Sequence, residues 1–200
     1  MEPDFFSDEK KFNLDGPDEY KYYWHDLRKE KKIFSKRHSG GGSVIIWGAF
    51  SYKGTSDLVA VKGRLNSIGY SRILEGLLIP MNTLLHDGNA IFQQDNAPIH
   101  TSRMMREWFD AFDLLNLEWP AYSPDLNPIE NLWGWMARKV YGGGRQFKNR
   151  EALLECVMKC WSEIDPEYLQ NLVTSMKSRC LSVIKSKGGR TDYYSLVGEL

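Results

Sequence analysis

This 200-residue sequence has little cysteine, no net charge and no long apolar run. Its three cysteines, Cys156, Cys160 and Cys180, cannot all pair and never form a CxxC, so a disulfide framework is not expected. They read as reduced thiols of an intracellular protein. No apolar stretch approaches the roughly 18–20 residues that a membrane span requires, so no membrane partner is expected. The start, MEPDFFSDEKK, is acidic and polar and predicts no signal peptide. Lysine plus arginine (26) equals aspartate plus glutamate (26), which at face value disfavours a polyanionic partner. What is present is 42% apolar and 13% aromatic residues, a composition suited to one domain with a real core.

The charges are segregated. Residues 1–19 carry seven acids against two lysines, whereas residues 20–38 carry seven bases against two acids. Residues 138–150 and 177–190 each hold five bases and no acid. A zero sum thus conceals an acidic segment set against three basic ones, a pattern able to build a basic surface beside an acidic pocket. Any one basic run alone reads equally well as a solvated face.

Element signals run from strands to helices. Phe5-Phe6 with Phe12 and Leu14 predicts a short N-terminal strand, and Val44–Phe50 a strand buried on both faces, with Leu58–Val61 returning. A helix is expected after Asn66, ended or kinked at Pro80. Ala90–Gln94 predicts a strand, 101–112 a helix and Leu114–Leu117 a further short strand. Asn127 as cap, Pro128 at the first helical position and Glu130 at the third form a capping-box pattern for a helix reaching Gly142. Two closing helices are expected over about 150–163 and 166–185. Strands alternating with helices indicate an α/β domain with a mixed sheet. The charged segment 15–43 is too long for an idle loop in a compact domain.

Three carboxylates stand at element ends: Asp8, Asp95 and Glu130. Each has an ordinary reading, respectively an exposed edge-strand acid, an Asx turn and the capping box. Together they suit hard divalent cations, which need oxygen ligands and retain water. A pair of such ions activates an attacking oxygen and stabilises a leaving one in phosphodiester chemistry.

The blocks FSDEKKF, FQQDNAPIH and WPAYSPDLNPIENLW resemble the three signature blocks of mariner/Tc-type transposases, DDE enzymes of the RNase H-like integrase superfamily. Asp95 and Glu130 are separated by 34 residues, as in the Tc branch, and Glu130 stands where the mariner branch would have aspartate. The likeness continues through Trp47-Gly-Ala and the tail SMKSRCLSVIKSKGGRTDYY, hence over essentially the whole chain.

The resemblance implies an RNase H-like mixed sheet flanked by helices, with C-terminal helices. It also implies a catalytic and metal-binding triad of Asp8, Asp95 and Glu130 holding two Mg²⁺ or Mn²⁺ ions. The implied reaction is cleavage of DNA at transposon ends, followed by attack of the freed 3′-hydroxyl on a TA target, in a homodimeric DNA complex in the nucleus. Asn96 and His100 match the second block and are expected to support the triad or face DNA, with a buried structural role as the alternative for His100. Segment 15–43 resembles a clamp reaching a partner subunit, and its Arg28, Lys29, Lys31, Lys32, Lys36 and Arg37 are candidates for phosphate contacts. Ser123–Pro128 is expected to shape the cleft wall. Full-length relatives begin with a helix-turn-helix DNA-binding region, which is expected to be absent here because the first block already lies at Asp8. Two other readings share the sequence: a non-catalytic DNA-binding or dimerisation module descended from a transposase, and a hydrolytic RNase H-like nuclease without strand transfer.

Overall fold

The structure is a computed structural model that describes residues 5–17, 42–121 and 123–189. The clamp-like segment therefore lies almost entirely outside the described residues, as do Arg28, Lys29, Lys31, Lys32, Lys36 and Arg37.

Strand β1 (Phe5–Asn13) is the centre of a mixed sheet. It pairs antiparallel with β2 (Ser43–Ser51) and parallel with β5 (Ile91–Gln93), which in turn pairs parallel with β6 (Leu115–Asn116). Two short strands, β3 (Gly54–Thr55) and β4 (Val59–Val61), return against β2. Strand alternation gives each face its own core. Phe6, Phe12, Ile46 and Phe50 pack under α4 (Ile129–Val140), α5 (Arg150–Ser162) and α6 (Pro166–Thr174). Phe5, Trp47 and Phe92 pack under α1 (Ser67–Ile73), α2 (Ile79–His86) and α3 (Arg103–Ala111). The result is a sheet between two helical layers.

Several expectations are corrected. The N-terminal strand runs nine residues, so Asp8 lies in its middle and is no edge residue. Ile45 in β2 is exposed, so that strand is not buried throughout. The helix does not end at Pro80. A π-helical turn over Leu74–Leu78 directly precedes it, with the Ile79 N–H bonded to the Leu74 carbonyl, and the helix runs on through Pro80 to His86. The last helix is two, α6 and α7 (Met176–Lys185), parted at Ser175, whose hydroxyl bonds the Leu172 carbonyl. Helix α4 begins at Ile129 with no side-chain cap on its first turn from Pro128. Its other end stops where Gly143 and Gly144 take positive φ of 72° and 76°, a conformation glycine adopts without strain. Among the described residues no helix is long and apolar enough to cross a membrane, and the three cysteines are free.

Candidate active site

The three motif carboxylates, far apart in sequence, open onto one cleft of about 380 Å³. Asp8 comes from the middle of the central strand, Asp95 from the loop two residues past β5, and Glu130 from the first turn of α4. Period-two alternation points Asp8 to the same sheet face as Phe6, the face that α4 covers. Asn127, one residue before Pro128, does less capping than anchoring. Its amide donates to the Ser7 carbonyl at 3.2 Å, pinning the start of α4 to β1 beside Asp8. Its Oδ1 accepts only a long bond, 3.4 Å, from the Ile129 N–H.

Each aspartate is held from behind. The Trp133 indole N–H, one turn along α4 from Glu130, donates to Asp8 Oδ2 at 3.1 Å. Trp133 stacks on Trp161 at 5.4 Å, and this pair needs the glycine opposite Asp8 in the β1–β2 register. A Cβ on Gly48 would stand 3.1 Å and 3.2 Å from the two indoles and 2.7 Å from Leu58. Asp95 Oδ1 accepts the Ala97 N–H at 2.9 Å, the expected Asx turn, and pairs with His100 Nδ1 at 2.6 Å. Both bonds fall on Oδ1, which leaves Oδ2 as the oxygen available to a ligand.

His100 is 4% exposed and lies against the Tyr70 ring, centroids 4.3 Å apart. Its Nε2 is 3.4 Å from Glu9 Oε1, an ion-pair distance without hydrogen-bond geometry. Glu9 and Asp95 thus flank one imidazole from two sides. Burial pulls the His100 pKa down, but the Asp95 hydrogen bond and the close carboxylates of Glu9 and Asp95 outweigh it and hold it at about 9. The ring is a cation at neutral pH. In return its hydrogen bond lowers the Asp95 pKa, against burial. Asp8 behaves oppositely. Burial, then the charges of Glu130, Glu9 and Asp95, push its carboxyl up to about 8. Three negative neighbours with one internal cation leave the cleft short of positive charge.

That donor set fits a hard divalent cation. The oxygens are carboxylates, the charge on Asp8 is unfavourable as it stands, and a cation between the acids would relieve it. Among the described residues no group of three His, Cys, Asp or Glu is placed to hold a metal ion by itself. An ion in this cleft would keep water among its ligands.

Asn96 also lines the cleft, but its amide donates to the Trp119 carbonyl at 2.7 Å, tying the Asp95 loop to the opposite wall. Beyond Trp119, the expected Ser123–Pro128 segment also borders the cleft, through Ser123, Pro124 and Asn127. It is braced from α7, where the buried Arg179 donates from Nη1 to the Asp125 carbonyl at 2.9 Å. Three participants escaped the sequence reading. Glu9 stands beside the first motif acid, Trp133 inside a helix and Gln93 at the end of a strand. The available signal was alternation: Gln93 is two residues before Asp95 and in register with Phe6, hence on the Asp8 face.

With this geometry in hand, the relatives are informative. The model of the DDE superfamily endonucleases matches residues 4–154. The Tc3 transposase of Caenorhabditis elegans is 44% identical over 188 residues, covering 94% of this chain and 57% of that protein. The Tcb2 transposase of Caenorhabditis briggsae is 35% identical over 192 residues, covering 94% of this chain and 69% of that protein. The chain thus spans little more than half the length of the first of these relatives. A pre-cleavage Mos1 transpososome superposes with a TM-score of 0.80 at 20% identity over 94% of this chain and 56% of that one. The Mos1 mariner catalytic domain superposes at 0.74 and 19% identity, over 94% and 83%. These two likenesses establish the fold, the RNase H-like arrangement of a mixed sheet between helices. The chain belongs to the DDE superfamily endonucleases, on the side of the Tc-type transposases.

Proposed function

We propose that this chain is the catalytic domain of a Tc-type transposase that cleaves DNA at transposon ends and joins the 3′-hydroxyl to a TA target. The observation carrying this reading is the convergence of Asp8, Asp95 and Glu130 on one cleft, where burial and then the neighbouring acids push the Asp8 carboxyl up to about 8. Asp8, Asp95 and Glu130 are the residues that would hold two Mg²⁺ or Mn²⁺ ions. Solved Mos1 complexes with Mn and with Mg support the choice of metals. When bound, such ions supply Lewis acidity at phosphorus and a more acidic attacking oxygen.

The protein's own part is positional. Trp133 fixes one oxygen of Asp8, and His100 with the Ala97 N–H fixes one oxygen of Asp95, so each carboxylate meets its ligand with little freedom left to lose. The position of Glu130 follows from the Asn127 bond to β1. The cationic His100, balanced by Glu9, keeps Asp95 ionised across neutral pH. The Asn96 bond to Trp119 and the Arg179 bond to Asp125 fix the loops that border the cleft.

DNA is the partner, a reading supported by the Mos1 paired-end complex with a transposon end, and a homodimer is the proposed form on DNA. Such a reaction takes place in the nucleus. The test uses purified chain, Mn²⁺ and a transposon-end duplex with a precut 3′-hydroxyl. Joined product that disappears with Asp95→Ala is expected. Equal product from wild type and Asp95→Ala overturns the assignment, and hydrolysis without joining would reduce it to a nuclease.

A further inference from the structure

Gln93 lines the floor of the carboxylate cleft, yet both ends of its amide, Nε2 and Oε1, are buried and lack any hydrogen-bond partner. Its side chain is 0% exposed. The backbone is satisfied separately, since the Gln93 carbonyl accepts the Ser7 hydroxyl at 3.3 Å. A buried amide with neither end paired is rare in a folded protein, because desolvation is then uncompensated. The neighbouring strand end shows the contrast. Gln94, one residue on and on the opposite face, is fully engaged, its Oε1 accepting from Tyr70 at 2.7 Å and its Nε2 donating to the His100 carbonyl at 3.3 Å.

Register explains where its amide sits. Gln93 pairs with Phe6 across the parallel β1–β5 ladder, so both point to the face covered by α4. Asp8 is two residues beyond Phe6 on that face, and Gln93 lines the same cleft as Asp8 and Asp95. An amide offers an uncharged oxygen of the kind hard cations accept alongside carboxylates, and an N–H suited to an ion's water. We propose that Gln93 is a fourth residue of the cation site, its amide bound to the ion held between Asp8 and Asp95 or to one of that ion's waters. This rests on the cation reading of the cleft given above. It explains why the floor carries a polar residue with no protein partner.

The test is Mn²⁺ titration calorimetry on the full chain at pH 8, with thermal melts in chelator. Gln93→Leu keeps the size and removes the amide. Mn²⁺ binding about tenfold weaker is expected, with a chelator melting temperature equal to or above wild type, because an unsatisfied group has gone. Gln93→Glu keeps an oxygen donor and is expected to bind Mn²⁺ at least as tightly as wild type. Unchanged Mn²⁺ affinity in Gln93→Leu overturns the proposal. So does a Gln93→Leu chain that fails to fold, or a Gln93→Glu chain that binds as weakly as Gln93→Leu. Asp95→Asn separates the two levels. Loss of binding there with full binding in Gln93→Leu removes only the Gln93 role, whereas full binding in Asp95→Asn removes the cation site itself.

Discussion

Replacing Asp8 by asparagine turns the electrostatics of the cleft into a measurable slope. In the metal-free protein the folded state holds the Asp8 proton up to about pH 8, because burial and the charges of Glu130, Glu9 and Asp95 oppose ionisation. The unfolded chain releases that proton near the ordinary carboxylate value, about 4. Folding therefore takes up a proton between those limits. The contribution of Asp8 to stability is complete below about pH 4 and is lost as pH rises through about 8. Each pH unit in that window costs up to about 1.4 kcal/mol, so between pH 5 and pH 7 the ceiling is about 3 kcal/mol. Asparagine does not titrate, and its amide oxygen still accepts the Trp133 indole N–H. Urea denaturation of both chains in chelator at pH 5 and pH 7 is the assay. Asp8→Asn should gain on wild type by up to about 3 kcal/mol over that interval, or roughly 6–12 °C in Tm for a chain of this size. Contributions from Asp95 and His100 run in both chains and cancel in the difference. A wild-type-minus-variant difference that is the same at both pH values refutes the reasoning.

Other consequences follow from the supports behind the site. Gly48→Ala drives a methyl against two stacked indoles and Leu58, so a loss of about 1–3 kcal/mol is expected by denaturation; unchanged stability would mean that Trp133 is not confined as described. His100→Ala leaves Glu9 and Asp95 without their shared cation and should cost about 2–4 kcal/mol at pH 7. Glu9→Gln in that background should recover part of it, and a strictly additive double variant would show that the pair does not interact.

Much of this architecture is local enough to read from a linear chain. The apolar run Val44–Phe50, the short strand ending at Gln93 and the amphipathic helix from Arg103 announce themselves through composition and period. The carboxylate triad is legible through the three motif blocks. What escaped depends on partners brought by the sheet. Asp8 reads as an exposed edge acid because nothing local says that one face of its strand meets a cleft of carboxylates and the other a histidine. Pro80 looked like a stop because the wide π-turn that precedes it has no sequence signature. Asn127 looked like a cap until β1 supplied a better acceptor in Ser7. Glu9 with His100, and Gln93 with the two aspartates, are juxtaposed by strand register and alternation, which no window of neighbouring residues encodes.

The central claim is that Asp8, Asp95 and Glu130 together bind divalent metal. Anomalous diffraction from crystals of the chain soaked in Mn²⁺ tests it most directly. The account predicts peaks in the cleft within about 2.5 Å of carboxylate oxygens from Asp8, Asp95 and Glu130, the separation expected of oxygen-ligated divalent ions. An occupied Mn²⁺ elsewhere on the chain with no peak in that cleft would contradict it.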